Sequence, residues 1–190
     1  MILASLALAA ALTAGSAPSC SYDRAAVLAL DQPAFDQDLR GGWRALAAKG
    51  CDREAAELIR QWREAHRATD TILFWHEGQL RANAGDYALA IPLFERGRHA
   101  PDKDAAWGWN LYVDGSIAFL RGDRPALEAA RARLARLPRP ADLPEVRDGN
   151  GKPVAIDWPM NLHVLDALLR CWGQSYRRAY SCPSPAAAKE

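Results

Sequence analysis

Four histidines, four cysteines and seven tryptophans carry most of the chemistry that this chain offers. His66, His76, His99 and His163 are the side chains suited to moving a proton near neutral pH or to holding a transition metal. No two of them lie four residues apart, so no helix presents two imidazoles to one metal ion. His76-Glu77 runs on into Gly78, Gln79 and Leu80, without the second histidine that a zinc-protease helix requires. His163 and Asp166 stand one helical turn apart and could share a proton, although a hydrogen-bonded surface pair is the simpler reading. Cys171 lies about two turns beyond His163, and Cys182 explains it better than a role as nucleophile does. There is no nucleophile elbow, phosphate-binding loop or dinucleotide glycine pattern. The reading is therefore no catalytic residue, no metal, no cofactor and no enzyme. A site assembled from residues 139–159 and the last helix is the least supported alternative.

Cys20, Cys51, Cys171 and Cys182 are even in number, which in an exported chain points to disulfides. Three pairings are open, and free buried thiols are the alternative to all of them. Pairing neighbours in sequence, Cys20 with Cys51 and Cys171 with Cys182, would tie each end of the chain to its body. A loop as short as the second would contribute about 3 kcal/mol in the chain-entropy account. No CxxC occurs, so neither a redox motif nor a zinc site is indicated.

The aromatic residues suit recognition better than catalysis. Trp75, Trp107, Trp109, Tyr112 and Trp158, together with Arg131, are the candidate binding residues. Large rigid aromatics anchor peptides in recognition surfaces, and packing between helices is the competing reading. Trp107 and Trp109 are two apart on an anticipated helix, so one should face the core and the other a groove or interface. Arg131, Arg133, Arg136 and Arg139 form a basic cluster that fits either a solvated helix face or an acidic peptide terminus.

These side chains are positioned by helices that follow one another with regular punctuation. Gly50, Gly85 and Gly122 each end an apolar-periodic stretch, spaced by 35 and then 37 residues. Asp52, Asp86 and Asp123 follow directly, placed to cap the next helix. Proline supports starts at Asp31-Gln32-Pro33, Asp123-Arg124-Pro125 and Asp157-Trp158-Pro159. In the second unit Gly78 precedes Gly85-Asp86-Tyr87, followed by Ala90, Phe94 and Pro101. The third unit has Gly115, Gly122, Asp123 and Leu127; the first has Gly50, Ala55 and Ile59, with Trp43 where a small residue belongs. Over residues 34–138 this pattern resembles the tetratricopeptide repeat family, whose period is about 34 residues. The resemblance implies an all-α fold: a right-handed superhelical stack of antiparallel helical hairpins, with small-residue contacts at Gly78 and Ala90. It also implies a protein or extended peptide as partner.

The remaining segments complete the plan. Residues 1–19 hold a largely apolar stretch, Ile2 to Leu12, followed by small residues and no charge before Asp23. That stretch is too short to span a bilayer and predicts a signal peptide, hence a periplasmic or secreted protein without a transmembrane span. Lipid anchoring at Cys20 fits less well, because Pro18 departs from the usual preceding triplet. Residues 20–138 form the repeat domain and 139–159 a Pro/Gly-rich loop. A single capping helix over 160–182 presents Leu162, Leu165, Leu169 and Trp172, and 183–190 is a disordered tail. A net charge of +1 leaves no electrostatic footprint for nucleic acid. A small-ligand or glycan-binding module is the alternative to a peptide-binding adaptor.

Overall fold

The computed structural model describes residues 19–184 except 142, 144 and 148–150. The leader reading over 1–19 falls outside these residues but for Ser19, as does the tail reading but for Pro183 and Ser184.

The described chain is mainly helical. Its helices are α1 (Arg24–Leu28), α2 (Arg44–Ala47), α3 (Asp52–His66), α4 (Thr71–Asn83), α5 (Tyr87–Arg96), α6 (Pro101–Asp104), α7 (Trp109–Arg121), α8 (Arg124–Leu134), α9 (Leu162–Arg170) and α10 (Tyr176–Tyr180). A short antiparallel ladder, β1 (Val146–Arg147) with β2 (Pro153–Val154), lies between α8 and α9. α3 packs on α4, α4 on α5, α7 on α8, and α9 against both α7 and α8. The links between α4 and α5 and between α7 and α8 are tight turns, so each pair forms an antiparallel hairpin.

The terminators behave as the periodicity predicts. Gly50, Gly85 and Gly122 all take positive φ, the left-handed conformation that costs glycine least. The starts are more varied. Asp123 caps α8 by accepting from the Ala126 amide at 3.0 Å. Asp86 makes no side-chain cap, because Arg53 Nε engages its carboxylate at 2.9 Å. Asp52 is the first residue of α3, and its carboxylate pairs with Arg177.

Two helices anticipated as continuous are broken. The first hairpin's leading helix is replaced by a π-helical turn (Pro33–Gln37), a loop and the single turn α2. Gly42 explains the break: it sits at φ +50°, and a Cβ there would come within 1.9 Å of the Phe35 carbonyl oxygen. The last helix divides into α9 and α10 at Gly173, whose φ is +85°. The Cys171–Cys182 disulfide closes across that bend. A straight helix would hold those two residues about 16 Å apart at 1.5 Å per residue, whereas their Cα atoms are 6.0 Å apart. The second disulfide joins Cys20 to Cys51 and leaves no free cysteine among the described residues.

Two apolar clusters share α4. Leu73 and Leu80 pack with Phe35, Trp43, Leu58, Ile59 and Trp62. Trp75 and Ala82 pack with Phe94, Tyr112, Val113, Leu127, Leu165 and Tyr176. α4 is therefore buried on two sides, between the two clusters. α9 caps the far end, while α10 folds back over α4 and α7: Gln79 Nε2 donates to the Tyr180 hydroxyl (3.2 Å), and the Tyr176 amide donates to Tyr87 (3.0 Å).

Candidate functional site

The link from α5 to α7 builds a cleft at one edge of the stack. Gly97 ends α5, and its carbonyl accepts from Trp109 Nε1 at 2.8 Å. Asn110 clasps His99 in both directions: its Oδ1 accepts from the His99 amide (3.0 Å) and its Nδ2 donates to the His99 carbonyl (2.9 Å). Asp104 Oδ2 accepts from the Asn110 amide at 3.0 Å, closing the loop over α6. Gly108 then turns the chain at φ +72°, and a Cβ there would meet the Leu137 and Leu134 methyls at 2.3 and 2.7 Å.

That turn decides how the two tryptophans lie. They do not share a helix: Trp107 stands before Gly108, and Trp109 is the first residue of α7. The expectation of one core and one groove tryptophan on a single helix is corrected accordingly. Both are half-buried, and both line the cleft. Trp109 stacks on His99 with centroids 5.2 Å apart, and meets Trp75 edge-on at 4.9 Å. Trp107 meets Trp158 edge-to-face at 6.2 Å, and Trp158 Nε1 donates to the Leu137 carbonyl at 3.0 Å.

The cleft has a volume of about 620 Å³ and is completed by Thr71, Arg98, Ala100, Lys103 and Met160. No carboxylate among the described residues lines it. The Arg98 guanidinium is committed to Asp114 (2.8 Å) and Glu95 (2.5 Å). Burial alone would lower the Arg98 pKa; those two carboxylates outweigh it and raise it. Lys103, on the same lining, makes no ion pair among the described residues.

The other candidates lie elsewhere. Trp75 and Tyr112 are core residues rather than surface anchors. Burial pushes the Tyr112 phenol well above its ordinary range, with help from neighbouring Tyr176 and Tyr180, so its hydroxyl stays neutral beside Tyr180 at 3.2 Å. Arg131 is held by Asp166 at 2.7 Å. Among the described residues Asp166 pairs with Arg131 and not with His163, which is exposed. The grouping of Cys20, Cys51 and Glu54 has metal-like proximity, but its two sulfurs are consumed by the disulfide. Thr71, Lys103 and Met160 carry no signal in the sequence, and His99 reads there only as a lone imidazole, because Thr71, the α5–α7 link and Met160 are three separate segments with no shared spacing. No known protein family, curated protein or solved structure matches the chain.

Proposed function

We propose that this chain is an exported, non-enzymatic scaffold that holds an extended protein or peptide segment. We infer further that its hairpins stack in the right-handed superhelical manner of tetratricopeptide repeats. The close seat of Gly78 against Phe94 supports tight α4–α5 packing within one such hairpin, and the share of α4 in two apolar clusters supports the stacking. The two disulfides suit an oxidising environment, and no described helix is long and apolar enough to cross a membrane. The disulfides accord with a periplasmic or secreted location.

The observation that carries the reading is the Trp107–Trp109 cleft. It is concave, of ligand-binding size and walled by aromatic side chains, of which Trp109 is held in place by its hydrogen bond to the Gly97 carbonyl. An aromatic or branched apolar side chain of the partner fills it, and carboxylates flanking that side chain meet Lys103. The test is peptide-display selection on the full described chain, followed by affinities for Trp107→Ala and Lys103→Glu. Apolar anchors with acidic flanks are expected, with about tenfold or greater weakening in each variant, equivalent to about 1.4 kcal/mol. Peptides that bind both variants as tightly as the parent would remove the cleft from the proposal.

A further inference from the structure

A second, smaller pocket lies between α2, the start of α3, α4 and α10, on a different part of the molecule from the tryptophan cleft. Its volume is about 270 Å³. The residue that distinguishes it is His76, whose Nδ1 lies 2.7 Å from Asp36 Oδ1.

Asp36 is fully buried and accepts also from Trp43 Nε1 (2.8 Å) and Gln37 Nε2 (2.5 Å). Burial alone would raise the Asp36 carboxyl. The His76 hydrogen bond, the charge His76 carries when protonated, the Trp43 hydrogen bond and the Arg44 charge outweigh it, and hold the carboxyl below its ordinary range. An ionised carboxylate only accepts, so the hydrogen-bond network assigns the proton of a neutral His76 to Nδ1. Nε2 is then a lone-pair acceptor. It has no hydrogen-bond partner among the described residues, and the ring borders the pocket.

The surroundings select the class of molecule that would complete this acceptor. Asp52 is paired with Arg177, and Arg44 holds the Asp36 carbonyl at 2.9 Å, so each carboxylate has a nearby cation. Asp52 and Arg177 are the charged side chains that line the pocket and they satisfy each other, so an anion would have to displace Asp52 from Arg177 and a cation Arg177 from Asp52. A neutral molecule meets neither obstacle. The Asn83 amide, without a partner among the described residues, borders the pocket beside Gln79 and offers both a donor and an acceptor. Trp43 and Tyr180 provide ring surface for C–H groups. At about 30 Å³ per water the space corresponds to about nine waters, which suits a ligand of about a dozen non-hydrogen atoms or fewer.

We propose that this pocket binds one small neutral polyhydroxylated molecule, a single sugar residue or a cyclic polyol of that size, with a ligand hydroxyl donating to His76 Nε2. The site is independent of peptide binding at the tryptophan cleft.

Imidazole nitrogen NMR of the ¹⁵N-labelled protein tests it, because the resonance positions report the tautomer and the Nε2 hydrogen bond directly. Glucose, galactose and myo-inositol are the neutral probes; glucosamine and glucuronate are the charged controls. Expected is a His76 Nδ1–H tautomer in the free protein and a saturable shift of Nε2 with at least one neutral probe. Asn83→Ala should weaken that binding about tenfold while the rest of the spectrum stays in place, and Trp107→Ala should leave it unchanged. An Nε2–H tautomer, no shift with any neutral probe at tens of millimolar, or tighter binding of either charged control would overturn the proposal.

Discussion

Arg63 and Glu77 form an ion pair in which both side chains are nearly excluded from solvent. Burial pushes the Glu77 carboxyl upward, and the neighbouring Arg63 and Arg81 do not fully offset it. Arg63 also lies 3.9 Å from the centroid of the Phe74 ring. Removing one partner strands the other charge, so Glu77→Leu or Arg63→Met alone should cost about 3 kcal/mol in urea denaturation. The double variant should recover most of that loss, since an apolar pair removes both desolvation penalties. Additive losses would show that the two side chains act separately. Asp36 predicts a pH dependence of a definite sign. Its carboxyl is depressed in the folded state, so its contribution is present above the unfolded value of about 3.9 and is lost as pH falls through the lower folded value. Asp36→Asn should therefore flatten the acid limb of the stability curve and cost about 2–3 kcal/mol at neutral pH. An unchanged acid limb would remove Asp36 from that role.

At the scale of elements, the closeness of the helices rests on two glycines. A Cβ at Gly78 would meet the buried Phe94 ring at 2.6 Å and the Leu93 Cβ at 3.2 Å. One at Gly115 would meet Leu165 Cδ2 at the same distance, but that methyl ends a flexible side chain. Gly78→Ala should thus cost about 1–3 kcal/mol by overpacking. Gly115→Ala should come out closer to neutral, helped by alanine's helix propensity, worth about 1 kcal/mol. Thermal denaturation of both checks the order, and the reverse order would contradict the α4–α5 packing described here. α10 depends on a staple as well as on packing. Replacing Cys171 and Cys182 together by serine should cost about 3 kcal/mol. The same change should speed amide exchange in α10, whose Tyr176 and Tyr180 hold it to α4, α5 and α7. Protection within α3–α5 should be retained.

For the whole molecule, the two disulfides stand at opposite ends of the chain. Cys20–Cys51 fastens the N-terminal segment along α3, where the Trp62 indole also donates to the Leu30 carbonyl at 3.0 Å. Cys171–Cys182 fastens the C-terminal bend. The ends of a helical stack lack a neighbour on one side, so stapling them protects the units most prone to fraying. Protein recovered from an oxidising compartment should show no titratable thiol after denaturation. Material made under reducing conditions should show four thiols and a lower midpoint of unfolding.

Local signals made the helical plan readable in advance. The left-handed terminators at Gly50, Gly85 and Gly122 depend only on backbone freedom at one residue, and helical periodicity depends only on neighbours within a turn or two. The even cysteine count likewise indicated disulfides, but their pairing was left to the fold. Tertiary structure decided whatever joins distant segments. Asp52 and Asp86 were plausible caps until Arg177 and Arg53 claimed them from other helices. Trp75 and Tyr112 had the composition of anchors, but sit where two hairpins and α10 close around them. The cleft joins Thr71, His99, Lys103, Trp107, Trp109 and Met160, and the Asp36–His76 contact spans 40 residues. Neither has a spacing to read, because both arise only when separate helices are brought to one surface by the burial of their opposite faces.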